Sequence, residues 1–167
     1  MSIIIQILIL FLLTFIPLLE LRLAIPVGIL ATTVSLPFNA SLTGFNMNPW
    51  LVLFVCVLAN AILGIFLYEF LFFIKANLKI FPKLNKFLDK FLNRAHKRLK
   101  PYVEKYGLIG IALFIAIPLP GTGSYTAALG SFILGISKKD FYIANAIGVA
   151  IAGILVTLIT VGLINIF

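Results

Sequence analysis

The chain has 167 residues, of which 62% are hydrophobic and 11% are charged, and its mean hydropathy is +1.19. This composition excludes an ordinary water-soluble domain. The net charge of +8 is concentrated in residues 75–105, which hold ten Lys and Arg residues against two acidic residues. A basic block between hydrophobic segments is typical of a cytoplasmic loop, and its position favours that interpretation over nucleic-acid binding.

Four hydrophobic runs, at roughly residues 2–36, 49–74, 107–136 and 141–167, predict an all-α integral membrane protein. The first and third runs are longer than one crossing needs. Proline clusters divide each of them into pieces of about 14–17 residues, or ~21–26 Å of helix. Because these pieces are shorter than the hydrocarbon core, we expect each run to form a re-entrant hairpin that enters and leaves the membrane on one side.

The first run is interrupted by Glu20, Arg22 and Pro26. We expect the backbone from Glu20 to Pro26 to leave the helix, since non-helical backbone at membrane depth is tolerated where it lines a cavity. Charges at that depth cost roughly 2.5–3.5 kcal/mol each and are usually functional. Glu20 is therefore a candidate proton carrier, and Arg22 is a candidate anion ligand or counter-ion to Glu20. The alternative interpretation is that Glu20 and Arg22 form a purely structural pair, or that one of these side chains extends to the membrane interface.

Residues 75–106 predict a cytoplasmic linker with a basic amphipathic helix that begins at Pro82 and ends at Pro101. We expect its apolar face to lie in the membrane interface and its cations to contact anionic lipid headgroups. A linker that only fixes topology is the alternative. The apolar positions at helical spacing are Leu84, Phe87, Leu88, Phe91, Leu92, Ala95 and Leu99.

The third run is broken by the segment Pro-Leu-Pro-Gly-Thr-Gly at residues 118–123. Its prolines remove amide donors, and its glycines permit positive φ angles and close approach of the backbone. If a helix restarts near Gly123 or Ser124, its N-terminus directs N–H groups and partial positive charge at a cavity, which suits an anion. A simple kink is the alternative.

The two halves of the chain repeat one plan. Ala59-Asn60-Ala61-Ile62 recurs as Ala144-Asn145-Ala146-Ile147, each time after a proline-broken run. We therefore predict a single membrane domain of two inverted repeats, at about residues 1–74 and 107–167, joined by the linker at 75–106. This arrangement places every basic loop in the cytoplasm. The two buried asparagines either bridge helices or face the hairpin tips.

The Glu-Leu-Arg-Leu-Ala-Ile-Pro-Val-Gly segment at residues 20–28 and the Pro-Leu-Pro-Gly-Thr-Gly segment at 118–123 resemble the small multidrug export family of prokaryotes. The plan is also similar to the DedA/VTT membrane group, whose members carry paired re-entrant hairpins and include lipid scramblases or flippases and anion transporters. The resemblance implies a multi-pass protein of a prokaryotic cell membrane that exports small molecules.

We therefore expect a small secondary transporter or exporter, proton-coupled and homo-oligomeric, for an anionic or amphipathic small molecule. A lipid scramblase or flippase of DedA/VTT type, and a non-transporting scaffold acting through the basic helix, are the alternatives. We expect that the protein is not an enzyme and that it has no cofactor, metal site or nucleic-acid partner. The predicted substrate- or ion-binding residues are Glu20, Arg22, Pro26, Asn60, Pro118, Pro120, Gly121, Thr122, Gly123, Ser124, Tyr125 and Asn145.

Overall fold

The computed structural model of the chain describes residues 2–17, 19–31, 33–35, 41–76, 82–119 and 121–166. Its helices are α1 Ile3–Thr14, α2 Glu20–Ile29, α3 Pro49–Ala76, α4 Pro82–Ala116, α5 Ser124–Ile133 and α6 Lys138–Ile166. Between α2 and α3, the three-residue strands β1 Thr33–Ser35 and β2 Ser41–Thr43 pair antiparallel. The predicted helical class is confirmed for the described residues, and this short ladder is an addition that the hydrophobic pattern did not predict.

The two long helices α3 and α6 begin at recognisable caps. The side-chain oxygen of Asn48 accepts a hydrogen bond of 2.9 Å from the N–H of Trp50, and Pro49 occupies the first helical position, where a missing N–H costs nothing. Before α6, the hydroxyl of Ser137 accepts a hydrogen bond of 3.2 Å from the N–H of Asp140. Local sequence therefore fixes where both long helices start.

By length and hydropathy, α3 and α6 can each cross a membrane. Their candidate spans, Pro49–Lys75 and Lys138–Gly162, have mean hydropathies of 2.6 and 2.2. Large apolar side chains stay uncovered along α3, where Trp50 is 77% exposed and Phe66 is 60% exposed. Water would penalise such an extended apolar surface, whereas lipid solvates it. The exposed faces thus support a membrane protein independently of hydropathy.

The chain divides into two compact units. The first comprises Met1–Asn60 and Ala150–Phe167, and the second comprises Ala61–Val149. Both unit boundaries fall inside the long helices α3 and α6, so each long helix contributes to both units. The predicted sequence repeats at 1–74 and 107–167 are a different division of the chain and stay a prediction.

In the first unit, α1 and α2 pack against each other, and the helical backbone is interrupted between Thr14 and Glu20. The predicted break from Glu20 to Pro26 is therefore wrong beyond its first residue: Glu20 has a φ of 46°, but the helix α2 continues through Pro26. A proline within a helix removes one hydrogen bond, and tertiary packing can offset that loss. Gly28 permits this packing, since a Cβ there would lie 2.6 Å from the Val52 side chain.

In the second unit, α4 folds back at Gly107, whose φ of 59° and ψ of −134° are not helical. The rings of Tyr102 and Phe114 lie 5.3 Å apart between centroids, although twelve residues of straight helix would separate them by about 18 Å. The predicted helix end at Pro101 is wrong, because the helix continues through Pro101. Only glycine adopts the torsion angles of residue 107 without strain, so the turn occurs there.

The apolar face of α4 is covered by protein at two of its described positions, and Leu92 is half-buried. Ala95 and Leu99 are buried, and a Cβ on Gly130 of α5 would lie 2.9 Å from Leu99. The expectation that this face lies in the membrane interface is therefore corrected at these two positions. The side chains of Leu84, Phe87, Leu88 and Phe91 lie outside the described part of the chain.

We expect Gly107→Ala to lower the free energy of unfolding by about 1–3 kcal/mol, because alanine is strained at that φ and ψ. Space is not the cause, since no atom of the described residues lies within 4 Å of a Cβ at Gly107. Gly162→Ala is the control, because Gly162 lies in α6 with equally open surroundings. Unfolding of both variants in mixed detergent micelles measures the difference, and equal stability of the two would contradict the assigned turn.

Candidate functional site

The predicted site residues fall into two groups, one in each compact unit. Glu20, Arg22, Pro26 and Asn60 belong to the first unit. The second unit holds Pro118, Gly121, Thr122, Gly123, Ser124, Tyr125 and Asn145. Pro120 lies outside the described residues.

Glu20 and Asn60 form the centre of the first group. Glu20 is the first residue of α2 and is 2% exposed, and Asn60 of α3 is 1% exposed. The amide Nδ2 of Asn60 donates a hydrogen bond of 3.1 Å to Oε2 of Glu20. Burial of an ionised carboxyl group costs several kcal/mol unless partners compensate it. The structure thus brings together two predicted residues that lie forty positions apart.

The Asn60 amide is only partly satisfied. Its oxygen, Oδ1, is buried and has no hydrogen-bond partner among the described residues. An unsatisfied buried acceptor costs about 1–3 kcal/mol. Rotation of the amide by half a turn would direct Oδ1 at Glu20, and a protonated carboxyl group could then donate to it. The pair therefore has one hydrogen-bonded arrangement for ionised Glu20 and a second one for protonated Glu20.

Arg22 and Pro26 complete the first group. Both are half-buried, and Arg22 interacts electrostatically with Glu20. Pro26 lies one turn beyond Arg22 and cannot donate the usual helical hydrogen bond. The first unit thus holds a buried acid and a half-buried cation on one short helix.

The break in the second unit ends where the sequence predicts. α5 starts at Ser124, and Gly123 precedes it with a φ of 111°, which confirms the predicted restart. The Thr122 hydroxyl contacts the carbonyl oxygens of Ile117 at 2.6 Å and Leu119 at 2.8 Å. The Thr122 side chain therefore stabilises the loop by hydrogen bonds to its backbone. Pro118 and Tyr125 are half-buried beside it.

Asn145 links three helices of the second unit. The Ser124 hydroxyl donates a hydrogen bond of 2.8 Å to Oδ1 of Asn145, and Nδ2 of Asn145 donates to the Ala61 carbonyl at 3.1 Å. Gly64 makes room for this amide, because a Cβ there would lie 2.6 Å from it. Both ends of the Asn145 amide are thus bonded, and this side chain bridges α5, α6 and α3.

The two groups share one arrangement. Glu20 and Ser124 each begin a ten-residue helix that follows a break. Each side chain is hydrogen-bonded to a buried asparagine of the next long helix, and both asparagines belong to the repeated Ala-Asn-Ala-Ile sequence. The chemistry differs, since one unit places a carboxyl group where the other places a hydroxyl group.

Sequence reasoning missed a contact between the basic linker and the second break. Nη1 of Arg98 donates a hydrogen bond of 2.9 Å to the carbonyl oxygen of Gly121. The φ of Gly121 is 84°, and a Cβ there would collide with the Arg98 guanidinium group. No spacing rule connects residues 23 positions apart. The only signal in the sequence was Gly121 itself, which indicates close approach of another group but does not identify that group.

A polar network joins α3 to the start of α6 in the second unit. Glu69 accepts hydrogen bonds from Nζ of Lys138, at 2.6 Å, and from the hydroxyl of Tyr142. The buried Tyr68 donates a hydrogen bond of 2.6 Å to the carbonyl oxygen of Ile136. These residues read in sequence only as polar positions near helix ends. Among the described residues, no group of three His, Cys, Asp or Glu side chains could hold a metal ion.

A protein-family model described as "Putative small multi-drug export protein" matches residues 20–155. The match begins at Glu20 and covers most of the chain, including both asparagine contacts. No curated protein and no solved structure matches the chain. The likeness to the DedA/VTT group therefore stays a prediction.

We expect Ser124→Ala to destabilise the protein by about 1–3 kcal/mol, because it leaves the buried Oδ1 of Asn145 without a donor. Ser131→Ala is a matched control in the same helix. Ser131 is equally buried, but its hydroxyl has no hydrogen-bond partner among the described residues. Removal of that hydroxyl should be neutral or stabilising. Thermal unfolding in detergent compares the variants, and equal losses would contradict the role of the Asn145 contact.

Proposed function

Because the chain belongs to the small multi-drug export protein family, we propose that it is a proton-linked secondary transporter of small anionic or amphipathic molecules. The observation that carries the proposal is the buried contact between Glu20 and Asn60. Proton coupling requires a group whose charged and neutral forms are both accommodated within the protein. This contact offers a hydrogen-bonded arrangement for each form.

Glu20 is the proton-carrying residue in this proposal. Its burial penalises the ionised form, and the Asn60 amide compensates part of that penalty by donating to the carboxylate. Proton uptake removes the charge and allows the amide to rotate. The oxygen of Asn60, which has no donor among the described residues, then receives one from the protonated acid.

Arg22 connects proton uptake with substrate binding. While Glu20 is ionised, it offsets the positive charge of Arg22, with which it interacts. Protonation of Glu20 removes that compensation, so an anionic group of the substrate binds Arg22 more tightly. By linkage, anion binding favours protonation to the same extent. Proton and anion therefore bind together.

We also propose that two pairs of consecutive helices are re-entrant hairpins and form an inverted repeat. The first pair is α1 and α2, and the second is the part of α4 after Gly107 together with α5. α1 and α2 have 12 and 10 residues, or about 18 and 15 Å of helix, well short of the ~30 Å hydrocarbon core. α5 also has 10 residues. The repeated asparagine contacts support equivalence of the two pairs. In this proposal the protein is multi-pass, lies in a prokaryotic cell membrane, and forms a homo-oligomer that encloses the transport path.

We expect Glu20→Gln to abolish proton-linked transport while it preserves folding, because glutamine still accepts from Asn60 but cannot release a proton. Purified protein in liposomes, under pH gradients of both signs, is screened with anionic compounds and amphipathic cations. Internal pH and solute are followed together by fluorescence. Glu104→Gln is the control, since Glu104 is exposed on α4 and paired only with Lys100 at 3.5 Å in the described residues.

Coupled transport that persists in Glu20→Gln with an unchanged thermal midpoint would contradict the proton-carrying role. The same liposomes should also contain a labelled phospholipid. Movement of that lipid between leaflets without solute transport would contradict the proposed transport of small molecules. The family match does not favour this outcome, nor does it favour a non-transporting scaffold.

A further inference from the structure

An open polar groove lies on α4, within the second compact unit. Asn93, Arg94, Lys97 and Arg98 line this groove, which has a volume of about 510 Å³. Their spacing places them on one side of the helix, in two neighbouring rows. The buried Ala95 and Leu99 anchor the same helix turns on α5. The groove therefore belongs to a helix segment that is held in place by the protein.

Among the described residues that line the groove, three are cations and none is a carboxylate. Within the described part of the chain, the salt bridges Lys100–Glu104 and Lys138–Glu69 include no groove residue. Three neighbouring positive charges repel one another and concentrate a positive potential that attracts anions. A bound anion would offset that repulsion.

Arg98 is already oriented by the protein. Its Nη1 donates to the Gly121 carbonyl at 2.9 Å, so one of its five N–H donors is used to hold the guanidinium group at the groove. Fixing a long side chain in advance lowers the entropy cost of binding. A planar guanidinium group with remaining donors matches the oxygens of a phosphate group.

We propose that this groove binds a phosphate group, either as part of a lipid headgroup or as a soluble phosphate. Arg94 and Arg98 supply planar, paired donors, Lys97 supplies a compact charge, and the Asn93 amide supplies a neutral donor. The combination is more selective than a diffuse basic surface, which would attract any anion. The site does not depend on the proposed transport function, and its test involves no transport.

The test compares two double variants of the full-length protein, purified in detergent without phospholipid. Arg94→Gln/Lys97→Gln removes two charges from the groove. Lys100→Gln/Lys105→Gln removes two charges from the same helix outside it, so both variants have the same net charge. Each protein is titrated with inorganic phosphate and with short-chain phosphatidylglycerol, at constant ionic strength, and the thermal midpoint of unfolding and the dissociation constant are measured.

We expect the groove variant to bind at least about tenfold more weakly than the unmodified protein, and the control to stay within about twofold, because a tenfold loss corresponds to one strong charge-assisted contact. Saturation by inorganic phosphate supports a soluble ligand, and saturation by phosphatidylglycerol alone supports a lipid headgroup. Equal losses in both double variants would overturn the site in favour of general electrostatic attraction. Absence of binding of either probe to the unmodified protein would also overturn it.

Discussion

The arrangement of the described residues depends on a hydrogen bond between the first side chain of a short helix and a buried asparagine of the next long helix. Glu20 makes this bond with Asn60, and Ser124 makes it with Asn145. In lipid, apolar side chains give little preference for one helix register over another, because lipid tails solvate them equally well. A buried polar contact supplies the missing preference, since misplacement leaves two polar groups unsatisfied. Each break in the chain is thereby followed by a helix with a fixed starting point.

The same contact is used with two chemistries. The hydroxyl of Ser124 and the carbonyl of Ala61 occupy both ends of the Asn145 amide, so this contact has one arrangement. The Asn60 amide faces a carboxyl group and keeps an unpartnered oxygen within the described residues, so it has two. One unit thus uses the contact to hold helices, while in our proposal the other responds to a proton. The repeat that we propose would permit this division, because one copy would maintain the fold while the other changes.

The sequence predicted the long helices from hydropathy and the restart at Ser124 from its glycines and prolines. It also offered helix bridging as one of two interpretations of the repeated asparagines, and their hydrogen bonds bear out that interpretation. It misplaced the first break because Pro26 costs one hydrogen bond that a packed helix can lose. It also missed the turn at Gly107, since an isolated glycine does not reveal its torsion angles. An apolar helix face does not indicate whether lipid or protein will cover it, so the burial of Leu99 against α5 was not predictable. The Arg98 contact with the second break is a tertiary pairing that no local pattern encodes.

Residue 121 is glycine for two separate reasons. Its φ of 84° disfavours any side chain, and the space that a Cβ would fill is occupied by the guanidinium group of Arg98. The two reasons have different consequences for natural variation. Loss of the arginine in a homologue would free the space but leave the torsional demand, so glycine should persist there. Replacement of the glycine, in contrast, should occur only together with replacement of the arginine. Position 121 therefore depends on position 98, whereas position 98 can change alone.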